Sequence, residues 1–125
     1  RVIPEFVIQG GDVEGMNGRG GPGYAFTGAY GPERGYRVGS LAMANKGTPS
    51  SNGSQFFVVT GPLGVALDSN YSLMGHVVQG LDVALAIQGV ETNSSQLPID
   101  PVSVVSITVS EATSAQADIY KDLTD

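Results

Sequence analysis

Few side chains in this 125-residue chain could do chemistry, since it has no cysteine and a single histidine, His76. Disulfide frameworks and thiolate zinc sites are therefore excluded. His76 falls in an apolar stretch that reads as a strand, where a lone histidine is more often a hydrogen-bonded or surface residue than a base. Serines abound, but none has a His and an Asp placed to activate it. The carboxylate pairs Asp12 with Glu14 and Asp118 with Asp122 read as solvated charges on a loop and on the tail. The run Gly18-Arg19-Gly20-Gly21-Pro22-Gly23 lacks both the Gly-Lys-Ser/Thr end of a phosphate loop and a strand-to-helix setting. Ordinary loop geometry accounts for it.

What remains is a polar and aromatic constellation: Arg1, Gln9, Asn45 and Gln55, with Phe6 and Phe57. None of these side chains exchanges protons near neutral pH. Together they can bind a peptide backbone, grip an apolar ring and direct a fixed cation at one atom. Strand alternation alone supports a plainer reading, with both phenylalanines in the core, Asn45 and Gln55 satisfying backbone groups, and Arg1 a solvated terminus.

The elements that must position these residues are mostly strands. Val2 to Gln9 is rich in β-branched and aromatic residues and reads as one strand, stopped by Gly10, Gly11 and Asp12. Residues 10 to 39 hold eleven glycines and no sustained periodicity, which predicts a long loop packed by Tyr24, Phe26, Tyr30 and Tyr36. Further strands are predicted over Tyr36 to Asn45, Ser54 to Thr60, Tyr71 to Val78 and Val102 to Val109, with a polar turn from Lys46 to Gly53 and a loop from Gly61 to Asn70. A period of two puts Gln55, Phe57 and Val59 on one face of their strand. Gly80 to Gln88 reads as a short helix ended by Gly89. Beyond Glu111, residues 112–125 read as an extension in preference to an amphipathic helix bearing Ala115, Ile119 and Leu123. The whole suggests a mainly β barrel or sandwich.

Composition narrows the partners. The length suits one domain, and 41% hydrophobic residues suffice for a core. A net charge of −6, with only Arg34 and Arg37 close together among the basic residues, argues against nucleic acid and against contact with an anionic membrane. No apolar run approaches a membrane span, and the absence of cysteine leaves the compartment undecided. A start at Arg1, directly ahead of an apolar strand, reads as a cut chain.

Four segments occur in the order found in the cyclophilins, the peptidyl-prolyl cis–trans isomerases: Arg1 to Asp12 (RVIPEFVIQGGD), Gly20 to Gly23 (GGPG), Leu41 to Asn45 (LAMAN) and Asn52 to Phe57 (NGSQFF). Leu67-Asp68, Tyr71, Gly75, Val78, Gly80 and Asp82 fit as well, so the resemblance spans residues 1 to about 110 and is nearest to the bacterial members. It implies an isomerase of X–Pro bonds that assists protein folding, with proline-containing polypeptides as substrates and no metal or other cofactor. It implies an antiparallel eight-stranded β-barrel capped by helices, whose first strands and first helix are absent from this chain. Residues 1–111 would be that domain, N-terminally incomplete and completed by a missing segment or a second chain, and 112–125 a C-terminal extension.

The resemblance places Arg1 at the family's catalytic arginine, and Phe6, Phe57 and Leu67 on its proline pocket. Val7 stands where methionine is usual. Gln9, Asn45 and Gln55 fall on positions that bind substrate backbone or orient the arginine, and Ala44 lines the groove. Tyr71 stands where many members carry histidine, Ala66 where some carry a tryptophan that helps bind cyclosporin, and Lys46 replaces a small residue beside the groove. The alternatives are a proline-peptide binding module or chaperone with little turnover, and a purely structural role.

Overall fold

Residues 2–10 are apolar enough for one strand, but Pro4 fixes its own φ and lacks the N–H a ladder needs. In the computed structural model, which describes the backbone of residues 1–124 and the side chains of residues 1–122, the chain folds back at this point. Strand β1 (Val2–Ile3) and strand β2 (Val7–Gly10) form a hairpin instead of the single strand expected over Val2 to Gln9. Glu5 takes a left-handed φ of +62°, and the Phe6 N–H donates to the Ile3 carbonyl at 3.2 Å to close the turn. The hairpin matters for the site. It sets Arg1 opposite Gln9, the backbone nitrogen of each donating to the carbonyl of the other at 2.8 Å.

Strand β3 (Ser40–Met43), strand β4 (Phe56–Val59) and strand β5 (Leu73–His76) complete one antiparallel sheet in the order β1-β2-β4-β3-β5. Gln9 pairs with Phe57, Val7 with Val59, and Ala42 with Phe57, so alternate residues of three strands share a face. That face buries Val7, Ala42, Phe57 and Val59, and Tyr36 reaches it from the preceding loop. Each large apolar side chain removed from water there stabilises the fold by about 1.5–3 kcal/mol. Tyr24, Phe26 and Tyr30, expected to pack the long loop, are exposed instead. The loop is held by backbone and polar bonds.

A short helix α1 (Pro62–Val65) interrupts the loop expected over Gly61 to Asn70. Proline suits its first turn, where an N–H has no helical partner. The helix lies against the β1–β2 turn, with the Leu63 N–H donating to the Glu5 carbonyl at 2.9 Å and the Thr60 N–H to the Phe6 carbonyl at 3.0 Å. Approach is close enough that a Cβ on Gly61 would collide with the Glu5 backbone, and one on Gly64 with the Phe6 carbonyl. One 3-10 turn, Pro49–Ser51, occupies the predicted polar turn. Helix α2 (Leu81–Gln88) ends at Gly89 as expected, and its Gln88 side chain accepts the Glu5 N–H at 3.1 Å.

Two expectations fail toward the C-terminus. Val102 to Val109 alternates like a strand but forms none, and Val105 is 94% exposed. A strand exists only by its ladder partner, and no described segment pairs with this one. The sheet is accordingly open among the described residues, with β1 and β5 as its edges. The tail is helical over α3 (Ser114–Thr124) where an extension was favoured. Thr113 and Gln116 form a reciprocal capping box, Thr113 N–H to Gln116 Oε1 at 2.8 Å and Gln116 N–H to Thr113 Oγ1 at 3.2 Å, which starts the helix. Of the predicted tail residues, the Leu123 side chain and Asp125 lie outside the described residues.

His76 ends β5 with its Nδ1 3.4 Å from Ser40 Oγ and its ring 5.7 Å from that of Tyr120 on α3. Burial and then the Arg37 charge push its pKa below the ordinary 6.5. The unfolded chain therefore binds more protons, and His76 makes stability fall as pH drops through the ordinary value. Urea unfolding of the wild type and His76→Gln at about pH 5 and about pH 7.5 should show a smaller acid loss in the variant. Identical losses would refute the assignment.

Candidate functional site

Where β2 and β4 meet the chain that follows β3, side chains from four segments enclose a cavity of about 200 Å3. The β1–β2 hairpin supplies Arg1, Phe6, Val7 and Gln9; the end of β3 supplies Ala44 and Asn45; β4 supplies Phe57; and the loop after α1 supplies Leu67 and Tyr71. Apolar and polar side chains share its wall, and Arg1 is the one basic side chain among the lining residues. The hairpin turn explains how Phe6, outside the ladder, joins Val7 and Gln9 on this wall.

Phe57 is both core and site, since it is buried in the sheet and also faces the cavity. Its ring meets Tyr71 edge to face, with centroids 5.4 Å apart and planes at 84°, a favourable aromatic geometry. Tyr71 in turn is fixed through its backbone. The Tyr36 hydroxyl donates to the Tyr71 carbonyl at 2.6 Å and accepts the Tyr71 N–H at 3.1 Å. Burial pushes the Tyr36 phenol pKa up, so it stays protonated and able to donate.

The predicted polar residues divide. Gln9 lines the cavity, and its Nε2 donates to Gln55 Oε1 at 2.8 Å. Gln55 does not line it; it stands behind Gln9 and donates from Nε2 to the Gly20 carbonyl at 2.7 Å. Asn45 lines the cavity, but its side chain ties loops together, Nδ2 donating to the Asn70 carbonyl at 2.7 Å and Oδ1 accepting the Gly47 N–H at 2.9 Å. Lys46 is exposed and outside the lining, its N–H donating to Ser51 Oγ at 2.8 Å.

Sequence reasoning missed Gly18, which lines the cavity from the glycine-rich loop. Asp12, read as a solvated loop charge, also organises its loop. That carboxylate accepts five backbone N–H groups from its own loop, those of Glu14, Gly15, Asn17, Gly18 and Gly20, at 3.0–3.1 Å. An aspartate followed by a run of glycines was the available signal, since glycines let successive N–H groups converge on one acceptor. Among the described residues no group of three or more His, Asp or Glu side chains is arranged to hold a metal ion, and no helix is long and apolar enough to cross a membrane.

The antiparallel sheet thus brings one arginine, amide side chains and aromatic rings to one cavity. The family model described as "Cyclophilin type peptidyl-prolyl cis-trans isomerase/CLD" matches residues 1–109, and the chain belongs to that family. It is 43% identical over 113 residues to "Peptidyl-prolyl cis-trans isomerase A" of Mycobacterium tuberculosis, covering 88% of this chain and 60% of that protein. With "Peptidyl-prolyl cis-trans isomerase-like 1" of Homo sapiens it shares 42% over 118 residues, covering 84% and 64%. A crystal structure of a Cryptosporidium parvum cyclophilin type peptidyl-prolyl cis-trans isomerase superposes with a TM-score of 0.70 at 37% identity, covering 80% of this chain and 64% of that one. The same protein has been solved in the presence of the dipeptide Ala-Pro. The chain thus spans less than two thirds of the length of these relatives.

Tyr36→Phe removes both bonds to Tyr71 and leaves two backbone groups without that partner. The variant should lose about 1–3 kcal/mol of unfolding free energy in denaturant titration, and the Tyr71 amide resonance should shift. Unchanged stability with an unmoved resonance would show that Tyr36 does not hold the loop.

Proposed function

We propose that the protein containing this chain is a peptidyl-prolyl cis–trans isomerase, acting on proline-containing segments of unfolded or flexible polypeptides. The observation that carries the reading is the meeting of Arg1 and Gln9 with Phe6, Phe57 and Leu67 around one small cavity. At about 200 Å3 it is smaller than the ~300–1,000 Å3 of sites for drug-sized ligands and suits a single side chain such as a pyrrolidine ring. The family's relatives bear the isomerase name, and one was solved with a dipeptide that ends in proline.

The reaction needs no proton transfer. Delocalisation of the nitrogen lone pair into the carbonyl gives the peptide bond a barrier of about 18–20 kcal/mol, and X–Pro exchange alone takes tens to hundreds of seconds. In the twisted transition state the nitrogen becomes pyramidal and regains its lone pair. A guanidinium beside it then has an acceptor that the planar ground state lacks, so the Arg1 side chain binds the transition state selectively. Phe6, Phe57 and Leu67 hold the ring while the acyl side turns, and Gln9 and the Asn45 segment engage the flanking backbone.

Exposed Val102, Val104, Val105, Ile107 and Val109, beside an open sheet, support the reading that further chain covers them in the whole protein, supplied by a segment outside these 125 residues or by a second chain.

Replacing Arg1 by Ala in the full-length protein should lower kcat/KM on an X-Pro peptide by about 100-fold or more, while the peptide still binds. If neither protein accelerates exchange although both bind, the chain is a proline-peptide binding module. Lys46, exposed at the rim, is proposed to bias the residue preferred before proline. The ratio of turnover on X-Glu-Pro to X-Ala-Pro peptides should fall in Lys46→Ala, and an unmoved ratio would remove Lys46 from specificity.

A further inference from the structure

The loop of residues 12–20 lines the cavity at Gly18 and is bonded to the Gln55–Gln9 pair through Gly20. Its N–H donates to Asp12 Oδ2 at 3.1 Å, and its carbonyl accepts Gln55 Nε2 at 2.7 Å. We propose that Asp12 is a positioning residue, which sets the orientation of the Gln55 and Gln9 amides by fixing the Gly20 carbonyl.

A side-chain amide has two unlike ends, one a donor and the other an acceptor. Because the Gly20 carbonyl demands a donor, Gln55 must turn its Nε2 toward it. Gln55 Oε1 then faces Gln9 and demands a donor from it, supplied by Gln9 Nε2 at 2.8 Å. This assignment leaves Gln9 Oε1, an acceptor, for the cavity wall that Arg1 also lines. If the Gly20 carbonyl moves away, both amides can flip, and the wall presents a donor instead.

Asp12 makes most of the side-chain bonds that order this loop, with Asn17 Oδ1 accepting the Arg19 N–H at 3.0 Å beside it. Asp12 Oδ1 accepts the N–H groups of Glu14 and Gly15, each at 3.0 Å, while Oδ2 accepts those of Asn17 and Gly18 at 3.0 Å and of Gly20. Glu14 adds one long bond, its Oε2 accepting the Gly21 N–H at 3.5 Å. A Cβ at position 20 would meet the Asp12 carboxylate and Glu14 Cβ, so a side chain there must displace them. Desolvation, which by itself would raise the Asp12 pKa, is outweighed by these backbone donors, and the carboxyl is held well below the usual range. The link is therefore intact throughout the neutral range.

The kinetic part of this inference rests on the isomerase reading, and the structural part does not. In the full-length protein, Asp12→Asn places an NH2 group against N–H groups that had an acceptor. Side-chain amide resonances of Gln9 and Gln55 should shift while backbone resonances of β2 and β4 stay in place. The kcat for an X-Pro peptide should fall about 10-fold to 100-fold with KM little changed, as expected for misplacement of a group near the reacting atoms. Gly20→Ala breaks the same link from its other end and should shift the same two amides, which keeps the test open if Asp12→Asn does not fold. Unmoved Gln9 and Gln55 resonances in either folded variant overturn the proposal. Shifted amides in a protein whose wild type catalyses no exchange support the positioning and overturn the isomerase reading.

Discussion

The arrangement depends on the register of β4 between its two neighbours. Phe57 lies opposite Gln9 on one side and Ala42 on the other. Side chains alternate along a strand with a period of two, so a slip of one residue would turn Phe57 and Val59 away from the core and Phe56 and Val58 into it. The same slip would separate Phe57 from the cavity. Core packing and site geometry are thus one constraint, and the burial that stabilises the sheet also holds the aromatic wall in place.

That wall is closed by loops, and the loops are held by polar side chains acting on backbone. Tyr36 grips Tyr71 by both its N–H and its carbonyl, Asn45 spans from Asn70 to Gly47, and Asp12 gathers the glycine-rich loop. Loops this rich in glycine lose much backbone entropy on ordering. Convergent bonds to charged or buried acceptors offset part of that cost, since bonds to charged groups are stronger than neutral ones. The apolar contacts of the sheet place the cavity wall, and the polar anchors limit how far it moves.

Legibility in the sequence followed the range of the interactions involved. The alternation in Gln55 to Val59 and the glycine ending α2 were readable because both depend on near neighbours. The motif order singled out most of the residues that meet at the cavity. The hairpin at Pro4 was missed because the β-branched residues on both sides outweighed one proline, although Pro4 carried the signal. Gln55 and Asn45 were legible as polar residues of importance, but their partners, the Gly20 carbonyl and Asn70, lie far along the chain and follow only from tertiary placement. For Val102 to Val109 the alternation is real and no described strand pairs with it, because a strand requires a neighbour that its own residues cannot specify.

On the isomerase reading, the absence of proton chemistry at the site changes what the protein must control. A general acid or base tolerates some motion, because a proton can cross a shared hydrogen bond or a bridging water. A cation that must meet a lone pair formed only in the twisted state has no such relay, and its contribution depends on donor and acceptor being in place beforehand. Rigidity in the surroundings then takes the role that pKa tuning has in acid–base enzymes. This explains why side chains outside the cavity, Tyr36, Gln55 and Asp12, are so fully bonded while the only histidine, His76, lies on β5 against α3 and takes no part in the lining. A site of this kind is built by fixing orientations, and its titratable groups are used to hold the frame.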